Sequence, residues 1–255
     1  MSQIISLVNQ KGGVGKTTTA INMAQYLAEA GRLVLLVDLD PQANATSGVG
    51  IDKNNIQFGI YDSMIKQVPV ERAITKINSV GYDVIPSSPD LSGASIELAR
   101  AKQREFWLHR ILKNIKNKYD YIIIDSPPSL DLLTINGLVA SDGLLIPVQC
   151  EYYALEGLSR LLETITLIRK NLKPNLDIIG AILTMYDKRN KLARQVVKEV
   201  QDNFPGRVFS SIIPRNVRLS EAPSFGKSIL GFASLSKGAK AYHNLARELI
   251  ELEKQ

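Results

Sequence analysis

Short runs of consecutive apolar residues recur along the chain, and longer segments with helical periodicity separate them. Such unbroken runs are typical of strands that are covered on both faces, as in a mostly parallel sheet wrapped by helices. After the first run, apolar positions near helical spacing predict a helix over 17–30. The pattern therefore predicts a doubly wound α/β fold. The expected strands are 4–8, 33–37, 121–124, 144–148, 178–183 and 208–213.

The pattern breaks down between residues 43 and 89, where glycines interrupt only short apolar pieces. We expect loops, short helices and one edge strand there. The chain shows no linker-like Ser/Gly/Pro tract, internal repeat or low-complexity segment. We therefore expect residues 1–255 to form a single domain, without an N-terminal helix-turn-helix domain.

The first predicted turn carries a phosphate-binding motif that contains an additional lysine. Gly15, Lys16 and Thr17 match the end of the P-loop pattern G-x-x-x-x-G-K-[ST], whereas Gln10 occupies the position of its first glycine. Strand, glycine-rich turn and helix follow in the required order, so backbone N–H groups and the helix N-terminus can converge on a polyphosphate. A plain glycine turn is the alternative. The surplus cation is Lys11.

Two further strands are predicted to end in carboxylates. Asp38 and Asp40 follow one strand, and Asp125 ends another in the form of a Walker B element. Carboxyl ends of parallel strands form the edge where open α/β sheets bind ligands. The alternatives are that Asp38 or Asp40 caps a turn and that Asp125 is an ordinary aspartate at the end of a strand. Because magnesium prefers oxygen ligands, we expect Thr17 to bind Mg²⁺ and both Asp38 and Asp125 to hold it through water.

Composition narrows the class of protein. With 45% hydrophobic and 22% charged residues, the chain resembles a globular protein and disorder is not expected. No apolar run approaches the length of a membrane span, and no signal-peptide pattern is present, so we expect a cytoplasmic protein. The lone Cys150 excludes an internal disulfide and a multi-cysteine metal site, and we interpret it as a core residue.

Positive charge is concentrated near the C-terminal third of the chain. Residues 186–240, here called the basic segment, contain eleven Lys/Arg and four Asp/Glu, so this segment carries +7 while the whole chain carries +6. Such a basic surface favours a polyanionic partner, with nucleic acid ahead of anionic lipid. An ordinary solvated basic surface is the alternative.

Four segments together resemble the ParA-type partitioning ATPases, and particularly their short Soj-like members. The similarity extends over almost the whole chain. The deviant P-loop alone is shared with the MinD and nitrogenase iron proteins, whereas the last segment is more particular to Soj-like chains. The segments are KGGVGKTT (11–18), DLDPQ (38–42), DSPP (125–128) and IPRNVRLSEAP (213–223).

The resemblance implies roles for individual residues. Lys16 would bind the β- and γ-phosphates of ATP, Thr17 would ligate Mg²⁺, and Asp40 would orient the attacking water. Lys11 would reach the ATP of a second subunit, so ATP would join a homodimer. The expected catalytic residues are therefore Lys11, Lys16 and Asp40. The nucleotide-binding set of this loop is Lys11, Gly12, Gly13, Val14, Gly15, Lys16, Thr17 and Thr18.

The same resemblance assigns residues in the last third of the chain. Pro214 and Asn216, with Arg215 and Met185, would bind the adenine end of ATP, and Arg189 and Arg218 would bind double-stranded DNA without reading its sequence. It further implies slow Mg²⁺-dependent ATP hydrolysis, stimulated by a ParB-type centromere-binding protein. The expected location is the cytoplasm, in association with the nucleoid.

Several other classes share the loop. An iron–sulfur protein would need two cysteine ligands from each subunit, and Cys150 cannot supply them. A MinD-like membrane ATPase needs a basic amphipathic C-terminal helix, whereas Glu248, Glu251 and Glu253 make this C-terminus acidic, and we expect its apolar stripe to pack on the body of the protein. A P-loop metabolic kinase or synthetase stays compatible with the loop, although it leaves the basic segment unexplained.

Overall fold

A computed structural model describes residues 2–77, 80–151 and 154–253. In these residues seven strands form one sheet in the order β3-β4-β2-β5-β1-β6-β7, parallel throughout except for β3. The doubly wound α/β prediction is confirmed. The strands are β1 Gln3–Leu7, β2 Val34–Asp38, β3 Thr75–Ile77, β4 Tyr82–Ile85, β5 Tyr121–Asp125, β6 Gly143–Gln149 and β7 Asp177–Thr184.

Helices cover both faces of the sheet, and three short 3₁₀ turns lie at Arg104–Phe106, Lys116–Lys118 and Ala222–Phe225. The helices described are α1 Lys16–Glu29, α2 Asn44–Gly48, α3 Ile60–Met64, α4 Val70–Ala73, α5 Leu91–Leu98, α6 Trp107–Lys113, α7 Leu132–Ala140, α8 Ala154–Asn171, α9 Lys191–Asn203, α10 Val217–Glu221, α11 Ile229–Ala233 and α12 Lys237–Leu252.

Burial explains why the central strands are apolar along their whole length. Every residue of β2, β5 and β6 is buried, because helices pack on both sides of these strands. On one face α1 and α12 pack together, and Leu27, Tyr242 and Leu245 belong to the same apolar cluster. The expected packing of the C-terminal helix on the body of the protein is thus confirmed. Cys150 is buried in the core as expected.

The irregular region between residues 43 and 89 contains two strands rather than the single edge strand that we expected. β4 pairs with β2 inside the sheet, and the antiparallel β3 forms the edge. A three-residue edge strand presents few unpaired backbone groups, and its partly exposed residues explain why the apolar pattern is weak there.

The prediction of a strand at 208–213 is wrong. This segment runs beside β7 as extended chain, but it makes only an isolated bridge between Val208 and Ala181. Phe209 explains its close approach to β7: a Cβ built on Gly180 would lie 2.8 Å from the Phe209 ring, so the ring occupies the space that a side chain at 180 would need. The segment is apolar because Phe209 and Ile213 enter the core, not because it continues the sheet.

Among the helices of the described chain we found none with the length and hydrophobicity that crossing a bilayer requires.

Candidate active site

The glycine-rich turn after β1 leads directly into α1. Gly13 and Gly15 have φ of 73° and 91°, a backbone conformation that residues with a Cβ rarely adopt. Gly15 is the N-cap of α1, so the free N–H groups of the first helical turn open towards the cleft beside the turn. The positive end of the helix dipole adds to this cradle, which suits an anion such as phosphate.

This turn forms one wall of a cleft of about 470 Å³, here called the P-loop cleft. Asp40, residues of α2 and residues of the turn at 222–225 form the other walls, together with Pro128 after β5 and Met185 after β7. The lining residues are Gly12, Gly13, Gly15, Lys16, Thr17, Thr18, Asp40, Asn44, Ser47, Gly48, Pro128, Met185, Pro223 and Ser224. Val14, which we predicted to bind nucleotide, has a fully buried side chain that does not line the cleft, and its carbonyl accepts a hydrogen bond from Thr184 Oγ1 at 2.8 Å.

Lys16 is buried at the base of the cleft. Its Nζ donates a hydrogen bond to the Lys11 carbonyl at 3.2 Å, which directs the ammonium group along the loop. Burial lowers the pKa of Lys16, while the negative charges of Asp125 and Asp40 oppose this change. A buried cation beside the backbone N–H groups of a glycine turn suits a phosphate, and the two nearby carboxylates keep that cation charged.

Asp38 and Asp125 occupy equivalent positions on neighbouring strands, at the carboxyl end of the sheet. Asp38 is well hydrogen-bonded: its Oδ2 accepts hydrogen bonds from the Thr46 N–H at 2.8 Å and the Thr46 hydroxyl at 2.7 Å, and its Oδ1 accepts one from the Asp40 N–H at 3.1 Å. Burial raises the pKa of Asp38, and the hydrogen bonds from Thr46 counteract this rise. Asp38 thus anchors the start of α2.

Asp125 has no such partners. Both of its carboxylate oxygens are buried and accept no hydrogen bond of good geometry among the described residues, although the Thr17 side chain is near enough to lower the pKa of Asp125 by hydrogen bonding. Burial, followed by the nearby charge of Asp38, raises the pKa of Asp125, while hydrogen bonding by the Thr17 side chain, followed by the charge of Lys16, works against that rise. An orphaned buried carboxylate next to Thr17 fits a magnesium site with bound water, because such a carboxylate needs donors that this part of the chain does not supply.

Asp40 is the carboxylate that faces the cleft. It is buried with 6% of its surface exposed, and its Oδ1 accepts a hydrogen bond from the Gln42 N–H at 2.9 Å. That bond holds the carboxylate in a fixed orientation while the other oxygen stays free of protein hydrogen bonds in the described structure. Asp40 is therefore placed to hold a water against a phosphate bound in the cleft.

Lys11 does not line the P-loop cleft of its own chain. Its Nζ donates a hydrogen bond to Gln149 Oε1 at 3.2 Å and lies 3.6 Å from Glu151 Oε2, just beyond β6. Both partners were missed in the sequence, because neither belongs to a recognisable motif. The ion pair is partly exposed, with 37% and 48% side-chain exposure, so it is weak and easily exchanged.

The four residues predicted to bind adenine converge on a second cavity of about 290 Å³. It adjoins the P-loop cleft, since Gly15, Thr18 and Met185 line both cavities. Met185 has a φ of 54°, an uncommon left-handed conformation for a residue with a side chain. The lining residues include Met185, Pro214, Arg215 and Asn216 together with Thr184, Ile213, Leu219, Ser220 and Tyr242.

Arg189 and Arg218 lie on the surface outside both cavities. A bridge between Tyr186 and Pro214 holds the loop of Arg189 beside the segment that leads to Arg218 on α10. Each arginine pairs with an acid on its own segment. Arg189 contacts Asp187 through two side-chain nitrogens, at 2.9 and 3.1 Å, and Arg218 contacts Glu221 at 2.9 Å.

Comparison with known proteins assigns the family. The family model described as AAA domain matches residues 2–178. The chain is 52% identical to the chromosome partitioning protein ParA of Myxococcus xanthus, over 98% of this chain and 89% of that protein. It is 53% identical to the sporulation initiation inhibitor protein Soj of Bacillus subtilis, over 98% of each. The chain belongs to the ParA/Soj family of chromosome-partitioning ATPases.

A solved structure with the same fold is consistent with this family assignment. Cobyrinic acid a,c-diamide synthase of Mycobacterium smegmatis, crystallised with ADP and magnesium, has a TM-score of 0.89 and 35% identity, covering 100% of this chain and 96% of that one. The P-loop fold expected from the sequence is thereby confirmed. This synthase is only 35% identical to the chain, whereas the ParA and Soj relatives are 52% and 53% identical. Sequence similarity therefore supports partitioning as the activity.

Proposed function

We propose that this ParA/Soj-family protein is an ATP-driven DNA-partitioning switch. ATP binding joins two copies in a sandwich dimer, the dimer binds double-stranded DNA without sequence preference, and hydrolysis returns the protein to a state that releases DNA. The observation that carries the proposal is that Lys16 and Asp40 line one cleft, with the charge of the buried Asp125 acting on Lys16 from behind it, while Lys11 lies outside that cleft.

ATP and Mg²⁺ fit the residues of this site. Bound together, they supply a phosphoanhydride bond to be broken and a cation that shields the phosphate oxygens. The N–H groups of the glycine turn and the Lys16 ammonium would hold the phosphates, while Thr17 and Asp125 offer oxygen ligands, Asp125 through water. Asp38 supports the site by fixing the backbone at Asp40 and Thr46.

Asp40 would orient the water that attacks the terminal phosphate. Its position in the cleft and its hydrogen bond from Gln42 favour this role over a structural one. Hydrolysis by such a site depends on positioned charges rather than on a covalent intermediate. We infer that turnover is slow and requires magnesium, since the trans lysine reaches the phosphates only when a second subunit is bound.

The adjoining cavity would hold adenine. Pro214 and Met185 offer apolar contact, and Asn216 and Arg215 offer polar groups at the rim. Because the two cavities share Gly15, Thr18 and Met185, one nucleotide can occupy both. Leu219 of α10 also lines the adenine cavity, and Arg218 precedes it on the same helix. A nucleotide in this cavity would therefore contact the helix that carries Arg218.

Lys11 would complete the site of the other subunit. Its Nζ is held at Gln149 and Glu151 by weak, partly exposed contacts, and these can be exchanged for the phosphates of a partner's ATP. This arrangement makes ATP part of the dimer interface. Dimerisation in turn places two copies of the Arg189 and Arg218 surface on one particle, which strengthens weak phosphate contacts through multivalency.

We further propose that the whole chain works as one ATPase domain, associated with the nucleoid in the cytoplasm, and that a ParB-type protein stimulates hydrolysis. A MinD-like membrane function receives less support, because the apolar side of α12 contains buried residues such as Tyr242, Leu245 and Leu249 that pack into the protein. Without that side exposed, α12 has no apolar face to insert into a bilayer.

Two measurements test the proposal. Light scattering in ATP, in ADP and without nucleotide should show a dimer in ATP only, and co-sedimentation should show that this dimer binds random-sequence DNA rather than anionic vesicles. A chain that stays monomeric in ATP, or that binds DNA equally well in ADP, contradicts the switch. Preferential binding to vesicles supports the membrane alternative instead.

A further inference from the structure

A charged groove of about 550 Å³ lies between α12 and the extended chain at 210–214, and it adjoins the adenine cavity at Pro214. One side of α12 faces it over almost the whole length of the helix. The helix contributes Lys237, Lys240, Asn244, Arg247, Glu248 and Glu251 to the lining. None of these residues belongs to the P-loop cleft or the adenine cavity.

Four of the five charged residues in this groove are arranged against the helix dipole, and Arg247 is the exception. Lys237 and Lys240 lie in the first turns of α12, where the dipole disfavours cations, and Glu248 and Glu251 lie towards its C-terminal end, where the dipole disfavours anions. Helix stability alone would favour the opposite order. The order therefore points to a requirement for positive charge at the N-terminal end of the groove.

The acids of the groove are occupied within the protein. Glu248 accepts hydrogen bonds from the Ser210 N–H at 3.0 Å and the Ser211 hydroxyl at 2.9 Å. Glu251 lies 3.7 Å from a guanidinium nitrogen of Arg247. In contrast, neither Lys237 nor Lys240 has a carboxylate within 4.0 Å among the residues that the structure describes. The cationic end of the groove is thus available to an anion.

This cationic end lies beside α10, which carries Arg218. A Cβ built on Gly238 would lie 2.8 Å from Leu219 Cγ, so the start of α12 packs directly on α10. Pro214 lines the same groove and is bridged to Tyr186, in the loop that leads to Arg189. Both arginines proposed to bind DNA are therefore in segments adjacent to the lysine end.

We infer that Lys237 and Lys240 bind the phosphate backbone of double-stranded DNA and extend the path of Arg189 and Arg218 along the groove. The inference rests on the DNA-binding function proposed above. Two lysines on a helix turn supply point charges without a fixed fork geometry, which suits phosphate contact without base recognition. The acidic end of the groove limits the extension to the N-terminal half of α12.

The salt dependence of DNA binding tests this assignment. With ATP and random-sequence duplex, log Kobs falls with log salt by about 0.9 for each phosphate contact. The K237A/K240A double variant removes up to two contacts per subunit, so we expect its slope to be flatter by roughly two to four in the dimer. K237R/K240R keeps the charges and should retain the slope of the unsubstituted protein.

The matched control is K76A/K102A, which removes two exposed lysines elsewhere. Lys76 lies on β3 at the opposite edge of the sheet from β7, and Lys102 follows α5. We expect this variant to keep the original slope. Light scattering in ATP must show dimers for all the variants compared.

The outcomes separate the two proposals. If K237A/K240A dimerises and binds DNA with an unchanged slope, the groove is not part of the DNA path, although the switch stands. Loss of binding to phosphatidylglycerol vesicles with unchanged DNA binding overturns the inference in favour of a lipid surface. If the unsubstituted ATP dimer does not bind DNA at all, the proposed function fails together with the inference.

Discussion

Asp38 and Asp125 lie at the same register on neighbouring strands, yet among the described residues only Asp38 accepts close hydrogen bonds from the backbone. Asp38 receives three hydrogen bonds from Thr46 and Asp40, whereas both oxygens of Asp125 are buried without partners in the described structure. Two carboxylates that look equivalent in the sequence therefore have different tasks. Asp38 holds the polypeptide around the site, and Asp125 is left for a ligand.

The asparagine variants of these two residues should behave in opposite ways. Asp38→Asn places an amide against donors that need an acceptor, so it should lower the free energy of unfolding by about 1–3 kcal/mol with or without ligand. Asp125→Asn removes a buried, unpaired charge, so the ligand-free protein should keep or gain stability while the extra stabilisation by Mg²⁺–ATP is reduced. Thermal unfolding with and without Mg²⁺–ATP measures both. An identical response of the two variants contradicts this division.

Lys11→Ala should leave the monomer nearly unchanged and prevent ATP-dependent dimerisation. The contacts of Lys11 with Gln149 and Glu151 are partly exposed, so their loss should cost no more than about 1 kcal/mol. ATP binding should persist, because Lys16 still faces the cleft. Equilibrium titration with ATP measures this binding. Lys16→Ala is the control that should lose nucleotide. A normal ATP dimer of Lys11→Ala in light scattering contradicts the trans role.

Asp40→Ala should trap the ATP-bound dimer. Removing a group that positions and activates the attacking water lowers the hydrolysis rate by about 10²–10⁴-fold in comparable sites. Nucleotide binding should remain, because the phosphate contacts come from the glycine turn and Lys16. Phosphate release under single-turnover conditions measures the effect. Unchanged hydrolysis would show that another group holds the water.

Asp187→Asn should strengthen DNA binding. The hydrogen bonds from Arg189 lower the pKa of Asp187 to about 2. Because this pKa is depressed, the pair is present at neutral pH and is lost only as the pH falls through about 2, so Asp187 competes with phosphate for Arg189 in any ordinary assay. We expect an increase in DNA affinity of several-fold by fluorescence anisotropy.

The arginine variants are the matched controls for this experiment. Arg189→Glu and Arg218→Glu should abolish DNA binding while ATP still produces dimers. If Asp187→Asn leaves the affinity unchanged while Arg189→Glu abolishes binding, the Asp187 contact opens at no cost and does not regulate the surface. DNA shifts that persist in both arginine variants place the DNA surface elsewhere.

Gly226→Ala should destabilise the protein, whereas Gly157→Ala should stabilise it. A Cβ on Gly226 would lie 2.7 Å from Gly50 Cα, and Gly226 has a φ of 62°, so alanine meets both a backbone clash and strain costing about 1–3 kcal/mol. Gly157 is helical, and no heavy atom of the described residues outside its own helix backbone and chain neighbours lies within 4 Å of its added Cβ, so alanine should add about 0.5–1 kcal/mol. Chemical denaturation of both variants is the test. Equal changes in the two would contradict the close approach of Gly226 to Gly50.

Much of the fold was predictable from the sequence because the central strands are buried on both faces. β1, β2, β5, β6 and β7 each appear as a continuous apolar run, and the strand–turn–helix order around Gly15 places α1. The apolar run at 208–213 led to a wrong strand prediction. Phe209 and Ile213 enter the core there from a segment that pairs only at isolated positions. Apolar character indicates that a segment is buried, but it does not distinguish a hydrogen-bonded strand from an extended segment that packs beside the sheet.

The sequence by itself determined the doubly wound fold, the phosphate-binding turn and the concentration of positive charge, because each depends on residue type and local spacing. Only the tertiary structure decided that Asp125 rather than Asp38 lacks partners, that Lys11 lies against Gln149 and Glu151, and that α12 presents a cationic groove end beside α10. These properties depend on contacts between residues distant in the chain, and hydrogen bonding and electrostatic pairing are set by such contacts.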